Sequence, residues 1–390
     1  MALLCLFMIT GCDAEFTEQD VKDNNSAPET VDSSSLDQFV QVRVQPTAQP
    51  EKYMVYFSWP RIQDGKFVRV RLDKTLIVVN PSQTDFNHEI FHDQTLTYTF
   101  EVLDNASKIE KTFPKQIKVP RDFVVRSGQS SFSEDTRLTV NRIFLTNEIP
   151  LSTNGFNVEL VANEFHSKDG VIETYPENTK AEIDNDGKSG GTLKINAKLA
   201  SGDLKIYMRG QHGGDGSKGE SYPSRAADGA PAGEGFRVCE CTGKHCYIPA
   251  NKKFNLFEQI EPQGVHCTCE GTGANGGTGA NGENGKKGHR AGNGGSAGQL
   301  NVSIIDGREF DLQTYAIKGL AGKPGEGGEG QNGGNGGQTP DTTNGRKCGG
   351  KAGSGGSKGV QGEVGDLGTD GTIGLMCVYI ASENKNDCYQ

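Results

Sequence analysis

Two constellations in this 390-residue chain have residue types and spacings that could do chemistry. The first is His88-Glu89-Ile90-Phe91-His92, two imidazoles four positions apart with a carboxylate beside one of them. On a helix, positions i and i+4 share a face, so both rings could hold one zinc ion with Glu89 as general base. On a strand the same two residues would stand about 13 Å apart, too far for one ion. The second constellation is the set of cysteines Cys239, Cys241, Cys246, Cys267, Cys269, Cys348, Cys377 and Cys388. An even number in an exported chain favours disulfides, whereas two Cys-x-Cys pairs near His245 and His266 could instead hold zinc. Two weaker patterns carry less. Asp184-Asn185-Asp186-Gly187 begins like a calcium loop, but Leu193 stands where the closing glutamate belongs, which favours a β-turn. Gly271-Thr272-Gly273-Ala274-Asn275-Gly276 fits G-x-G-x-x-G only as any glycine-rich stretch would.

The elements that must position these groups read as strands. Val40, Val42 and Val44 share one face, as do Tyr53, Val55, Phe57 and Trp59. So do Val68, Val70 and Leu72, and then Leu96, Tyr98, Phe100 and Val102. Asp64-Gly65 and Asn80-Pro81 punctuate these runs. About seven short strands in so short a span predict a two-sheet sandwich. The His88–His92 motif lies among them, so residues 86–94 are expected to be extended and free of zinc. Phe57-Ser58-Trp59-Pro60 with Tyr98-Thr99-Phe100-Glu101-Val102 resembles a fibronectin type III domain over residues 37–120. That resemblance implies a spacer or binding module. Further alternation at Leu138–Leu145, Phe156–Val161, Val171–Tyr175, Thr192–Ala197 and Asp203–Met208 predicts a β-solenoid-like layer or a second sandwich.

The N-terminus sets the compartment. An apolar run, Leu3–Ile9, is far shorter than the ~20 residues that a spanning helix needs. It ends in Ile9-Thr10-Gly11-Cys12, which resembles the lipobox of bacterial lipoproteins. The resemblance implies cleavage before Cys12, acylation of its thiol and anchoring in a membrane. It places the protein in the cell envelope at the outer membrane, with Asp13 leaving the inner membrane open. No Lys or Arg precedes the apolar run, which suggests a start codon further upstream. The formal net charge of −10, with no compensating basic block, excludes nucleic acid as a partner.

Glycine is the other dominant signal. Only nine of the 54 glycines precede residue 209. Beyond it glycine recurs every third residue, in unbroken phase from Gly350 to Gly374. Ala291 interrupts an earlier series, which resumes one residue later at Gly292. Three residues per turn is the polyproline II repeat, and one edge of each such helix is then all glycine. Few prolines and the strand-like interruptions favour a bundle of polyglycine II helices within one chain over a collagen triple helix. Leu204–Met208 leads into the first run, Leu300–Ile305 receives the second, and Leu375–Ile380 receives the last. Each excursion therefore leaves a strand and returns to one.

These readings define a mainly β chain: a fibronectin III or Ig-like sandwich, then solenoid-like or sandwich strands carrying inserted glycine-rich helices. The expected parts are a signal peptide at 1–12, a polar tether at 13–36, the sandwich at 37–126, a β domain at 127–208 and the glycine-repeat domain at 209–390. Architecture of this kind resembles bacterial collagen-like or glycine-rich surface lipoproteins. That resemblance implies a structural or adhesive role, without catalysis or cofactor, and cell-surface proteins or glycans as partners. Two other readings stand beside it: a membrane-anchored zinc metallopeptidase using His88, Glu89 and His92, and a Cys-rich module that binds metal or glycan. Two short strands at 237–241 and 265–269, in an antiparallel register, would pair Cys239 with Cys269 and Cys241 with Cys267. Cys246–Cys348 would tie the two far turns together, and Cys377–Cys388 would close the C-terminus. The enclosed loop, with Lys252, Lys253, Phe254 and Phe257, is a candidate contact surface.

Overall fold

The computed structural model describes residues 30–31, 34–78, 82–233, 236–241, 265–270, 273–339 and 350–390. The chain is mainly β and divides into two compact units. The first holds the described residues up to Val124 together with Val140–Phe144, and the second holds the rest. The expected division at 208/209 therefore falls inside the second unit.

In the first unit the elements are β1 (Thr30–Val31), α1 (Leu36–Phe39), β2 (Gln41–Pro46), β3 (Lys52–Ser58), β4 (Arg61–Ile62), β5 (Phe67–Leu72), β6 (Thr75–Val78), β7 (Asp85–Phe91), β8 (Thr95–Leu103), β9 (Ile109–Lys118) and β10 (Asp122–Val124). Two antiparallel sheets form, one of three strands in the order β2-β3-β7 and one of four in the order β6-β5-β8-β9. The chain changes sheet between β3 and β5, between β6 and β7, and between β7 and β8. The alternating faces read from the sequence are the core faces. Tyr53, Val55, Phe57, Trp59, Val68, Val70, Tyr98, Phe100 and Val102 are all buried, with Val42, Val44, Leu72 and Leu96 packed on the rim of the cluster. Phe57 lies 4.6 Å from Tyr98 and 5.4 Å from Phe100 between ring centroids. Each such side chain stabilises the fold by about 1.5–3 kcal/mol through apolar burial.

One charged pair is sealed into this unit. Asp122 and Arg142 are each only 2% exposed. Arg142 Nη2 donates to Asp122 Oδ2 at 2.6 Å and Nε at 3.0 Å. The second carboxylate oxygen accepts the Tyr53 hydroxyl, which in turn accepts from Asn141 Nδ2 at 2.8 Å. Arg142 also donates to the Thr47 carbonyl at 2.7 Å and lies over the Tyr53 ring at 4.8 Å. Burial, reinforced by Asp122, pushes the Tyr53 phenol well above its usual range. The backbone follows the same route, since β10 pairs in parallel with residues 142–144.

Strand β11 (Thr136–Thr146) contributes Val140–Phe144 to the first unit and its two ends to the second, which continues with β12 (Leu151–Ser152), β13 (Val158–Glu173), β14 (Thr192–Arg209), β15 (Phe236–Cys241), β16 (Val265–Glu270), β17 (Gln299–Ile317), β18 (Met376–Ile380) and β19 (Lys385–Tyr389). Strands β13, β14, β17 and β18 pair in parallel, one after another. The expected separate strands on either side of Ser201 are thus two arms of one long element. A straight strand of 18 residues would span roughly 60 Å. Yet a Cβ on Gly190, just before β14, would lie 2.6 Å from the carbonyl oxygen of Arg209 at its end. Strand β14 therefore folds back on itself. The bend falls where the register shifts between Leu199 and Ser201 and where Gly202 adopts φ 84°. Strand β13 breaks register at the matching place, between Ser167 and Gly170. Folded strands stacked in this way align their apolar residues into columns. Val158, Leu193, Leu300 and Met376 form one, and Leu160, Ile195, Val302 and Val378 another, all buried.

Candidate functional site: cross-bonded glycine runs

The three residues of the alternative metallopeptidase reading, His88, Glu89 and His92, have separate partners. His88 and Glu89 lie on β7, with His92 just beyond its end, so the segment is extended as the sequence predicts. His88 Nδ1 meets the Tyr98 hydroxyl at 2.9 Å, and Glu89 pairs with Lys52 at 2.9 Å. His92 Nδ1 instead accepts the Asp122 backbone N–H at 2.9 Å. Burial holds the His88 imidazole below its ordinary pKa and pushes Tyr98 up to about 12. Among the described residues no cluster of three or more His, Cys, Asp or Glu could hold a metal. A His88→Ala variant should carry the same zinc content as the parent chain, measured by atomic emission. Stoichiometric zinc lost with that substitution would reinstate a zinc site.

The cysteines divide into three cases. Cys377 and Cys388 form the expected disulfide, opposite one another on the antiparallel pair β18 and β19. Strands β15 and β16 are antiparallel as expected, but their register differs. Cys239 stands opposite Cys267, Cys241 opposite Val265, and Cys269 opposite Arg237. The expected oppositions of Cys239 to Cys269 and Cys241 to Cys267 are corrected by two residues. A slip of two preserves the face of every side chain, so alternation alone could not tell the registers apart. Cys12, Cys246, Cys348, Lys252, Lys253, Phe254 and Phe257 lie outside the described residues.

The constellation that the fold does assemble is made of glycine runs. Four of them, at 210–233, 273–298, 318–339 and 350–375, leave and rejoin the β-stack, and none of them has regular strand or helix hydrogen bonding. Backbone hydrogen bonds link the runs at every third residue. From Gly276 to Ala297 the second run donates to the fourth, starting at Lys351 and ending at Thr372. From Gly319 to Gly337 the third donates to the second, with partner numbers falling as its own rise. The fourth donates back to the third from Gly353, Gly356, Gly359, Gly362, Gly365 and Gly371. The first donates to the third from Gly213 through Ala232, and Gly210 donates to Ile317 at the end of β17. Rising partner numbers mark parallel neighbours and falling ones mark antiparallel neighbours. The second and fourth runs thus form one parallel layer, with segment 181–190 at its side, and the first and third form the opposing layer.

Glycine is required because the backbones touch. A Cβ on Gly213 would lie 2.1 Å from the Gly292 carbonyl oxygen, and one on Gly362 would lie 2.1 Å from that of Lys286. The apparent break at Ala291 is corrected here. Its N–H donates to Asp366 in the same phase as Gly288 and Gly294, and its methyl group is fully buried. The lattice tolerates a methyl there, so the spatial phase never slips.

Alternation and glycine phase did not reveal a second set of bonds. Along the second run Asn275, Asn281, Asn284 and Asn293 turn their side-chain oxygens onto the N–H groups of Lys351, Ser357, Val360 and Thr369 at 2.9–3.0 Å. Asp215 and Asp228 of the first run do the same for Lys323 and Asn335 of the third. The backbone N–H of Lys323, and then the Lys180 ammonium, hold the Asp215 carboxyl below its ordinary pKa. Asp184 and Asp186, read as turn residues, bridge to Ser217 and Asn293. The readable signal was Asn-Gly repeated in step with the glycines, a dipeptide that elsewhere marks a hairpin turn.

The chain matches no family model, no curated protein and no solved structure.

Proposed function

We propose that the protein is a lipid-anchored structural or adhesive component of a bacterial cell envelope, with the glycine runs as its working projection. One observation carries this reading: four glycine runs, two outward and two returning, are bonded to one another at every third residue. A repeat of three with neighbours on several sides is the geometry of packed polyglycine II helices. Such a lattice is stiffened by backbone bonds and presents its side chains outward, as a projecting stalk or contact surface must. The three-plus-four order of the first unit's sheets supports a fibronectin III-like spacer. Anchoring rests on Ile9-Thr10-Gly11-Cys12 and places the projection outside the cell, with surface proteins or glycans as partners. Two acyl chains would hold it stably, at about 0.8 kcal/mol per buried CH₂.

Cys12→Ala tests the anchor in the native host. The variant should move to the soluble fraction and lose incorporation of labelled fatty acid. Unchanged membrane partition would remove the anchor. Brief proteolysis of intact cells tests the projection, which should remain whole while antibodies raised against it bind the cell surface.

A further inference from the structure

At the bend of the folded strands in the second unit, three polar side chains form a hydrogen-bonded chain. Glu164 and His166 lie two positions apart on β13, on either side of the buried Phe165, so both face outward. Ser201 of β14 stands directly opposite His166 in the parallel register. His166 Nδ1 lies 2.9 Å from Ser201 Oγ, and His166 Nε2 lies 2.9 Å from Glu164 Oε2. An ionised carboxylate only accepts, so Nε2 carries the ring proton and donates it to Glu164. Nδ1 is then the acceptor nitrogen, and the Ser201 hydroxyl donates to it. The His166 and Glu164 side chains are 32% and 31% exposed. The corner itself is tightly set. Gly202 adopts φ 84°, and a Cβ there would lie 1.8 Å from the Ser167 carbonyl oxygen.

We propose that Ser201 is a nucleophile, with His166 as its general base and Glu164 as the residue that orients the ring, and that it acts on carboxylic esters with a short, uncharged acyl group. A serine is activated when a base accepts its proton and a third group fixes the tautomer of that base. Here one ring nitrogen is held protonated by Glu164, which leaves the other to take the proton. Ser201 Oγ bonds to the ester carbonyl carbon while its proton moves to Nδ1. The bond to the alcohol oxygen then breaks, and that oxygen leaves with the proton from Nδ1. Water repeats the two steps on the acylated serine, releasing the carboxylic acid and restoring the hydroxyl. Lys168 and Asp169 have no partner in the β13–β14 register, and this stretch is the nearest along β13 from which backbone donors could meet the oxyanion. The acyl class follows from the surroundings. Leu199, 39% exposed, is the apolar residue two positions before Ser201. On β17, Glu309 stands opposite Ser201 and Asp306 opposite Leu199. A single apolar side chain suits an acetyl-sized group, and the two carboxylates disfavour an anionic one. The inference depends neither on the anchor nor on the glycine runs.

A fluorophosphonate probe, which modifies activated serine hydroxyls, tests the nucleophile on the full chain. Mass mapping should place the adduct on Ser201, and para-nitrophenyl acetate should be hydrolysed. Ser201→Ala should abolish both reactions. His166→Ala should slow both at least about a hundredfold, with circular dichroism and melting temperature unchanged. Glu164→Gln should slow both at least about tenfold. It should also redistribute the ring proton between Nε2 and Nδ1 of His166 in the nitrogen NMR spectrum, a change that a merely structural role would not produce. Ser303, exposed on β17, serves as the control, and Ser303→Ala should react as the parent does. An adduct absent from Ser201, or formed equally fast in the His166→Ala variant, would overturn the proposal.

Discussion

Gly362→Val should abolish cooperative folding of the glycine lattice, whereas Gln361→Ala should leave it almost unchanged. The added Cβ would lie 2.1 Å from the Lys286 carbonyl oxygen, 2.5 Å from its carbon and 2.6 Å from the Gly285 oxygen. All three obstacles are backbone atoms, so no rotamer change relieves the clash. The Gly362 N–H is also donated to Gly328 at 2.8 Å, and a displaced run would lose that bond and its neighbours. A loss of at least about 4 kcal/mol is expected, within the range reserved for overpacking and strain. Gln361 is exposed and contributes one side-chain bond, to the Gly327 carbonyl at 3.3 Å. Its removal should cost at most about 1 kcal/mol. The measurement is thermal unfolding of both variants followed by circular dichroism. Equal melting temperatures would show that the runs do not depend on close approach of their backbones.

The second large effect is expected at Asp122. Asp122→Ala leaves the Arg142 guanidinium buried without its carboxylate. It also strips an acceptor from Tyr53 and from the Glu51 backbone N–H. Removing one partner of a buried ion pair costs about 3–5 kcal/mol, because the remaining charge stays desolvated. The melting temperature of the first unit should therefore fall by more than about 10 °C. Replacing both residues together with apolar ones of similar volume should recover much of that loss. If Asp122→Ala alone costs less than about 1 kcal/mol, water reaches this pair and the desolvation account fails.

Residues whose periodicity is short showed their structure in the sequence. Tyr53, Val55 and Phe57 alternate, and that alternation alone placed them in the core. Gly350 to Gly374 repeat every third residue, and the close approach of backbones follows from the missing side chains. Cys377 and Cys388 could be paired because they are near in sequence and remote from the other cysteines. Features that depend on long-range register were not legible. The two-residue slip between β15 and β16 leaves every side chain on its original face. The arms of β14 read as separate strands because nothing local distinguishes a bend within one folded strand from a loop between two. Nothing close to Asp122 or Arg142 in sequence marks them for burial, since it depends on Tyr53 and Thr47, far away in the chain. The Asn275 to Asn293 ladder was hidden because Asn-Gly has a more familiar meaning as a turn.

The glycine lattice also changes how the second unit should respond to temperature. Its internal contacts are peptide groups on peptide groups, with buried methyls such as Ala291 and Ala297 as exceptions. Unfolding an ordinary core exposes apolar surface and raises the heat capacity, whereas exposing polar surface lowers it. Here the two contributions partly cancel over a large part of the unit. Its stability curve should be flatter than that of an ordinary β-sandwich of equal length. Cooling would then weaken the glycine runs themselves little, because only a minor share of their own cohesion comes from the hydrophobic effect that fades in the cold. A lattice of backbone bonds should therefore hold its shape over a wider thermal range than a buried apolar core of the same size.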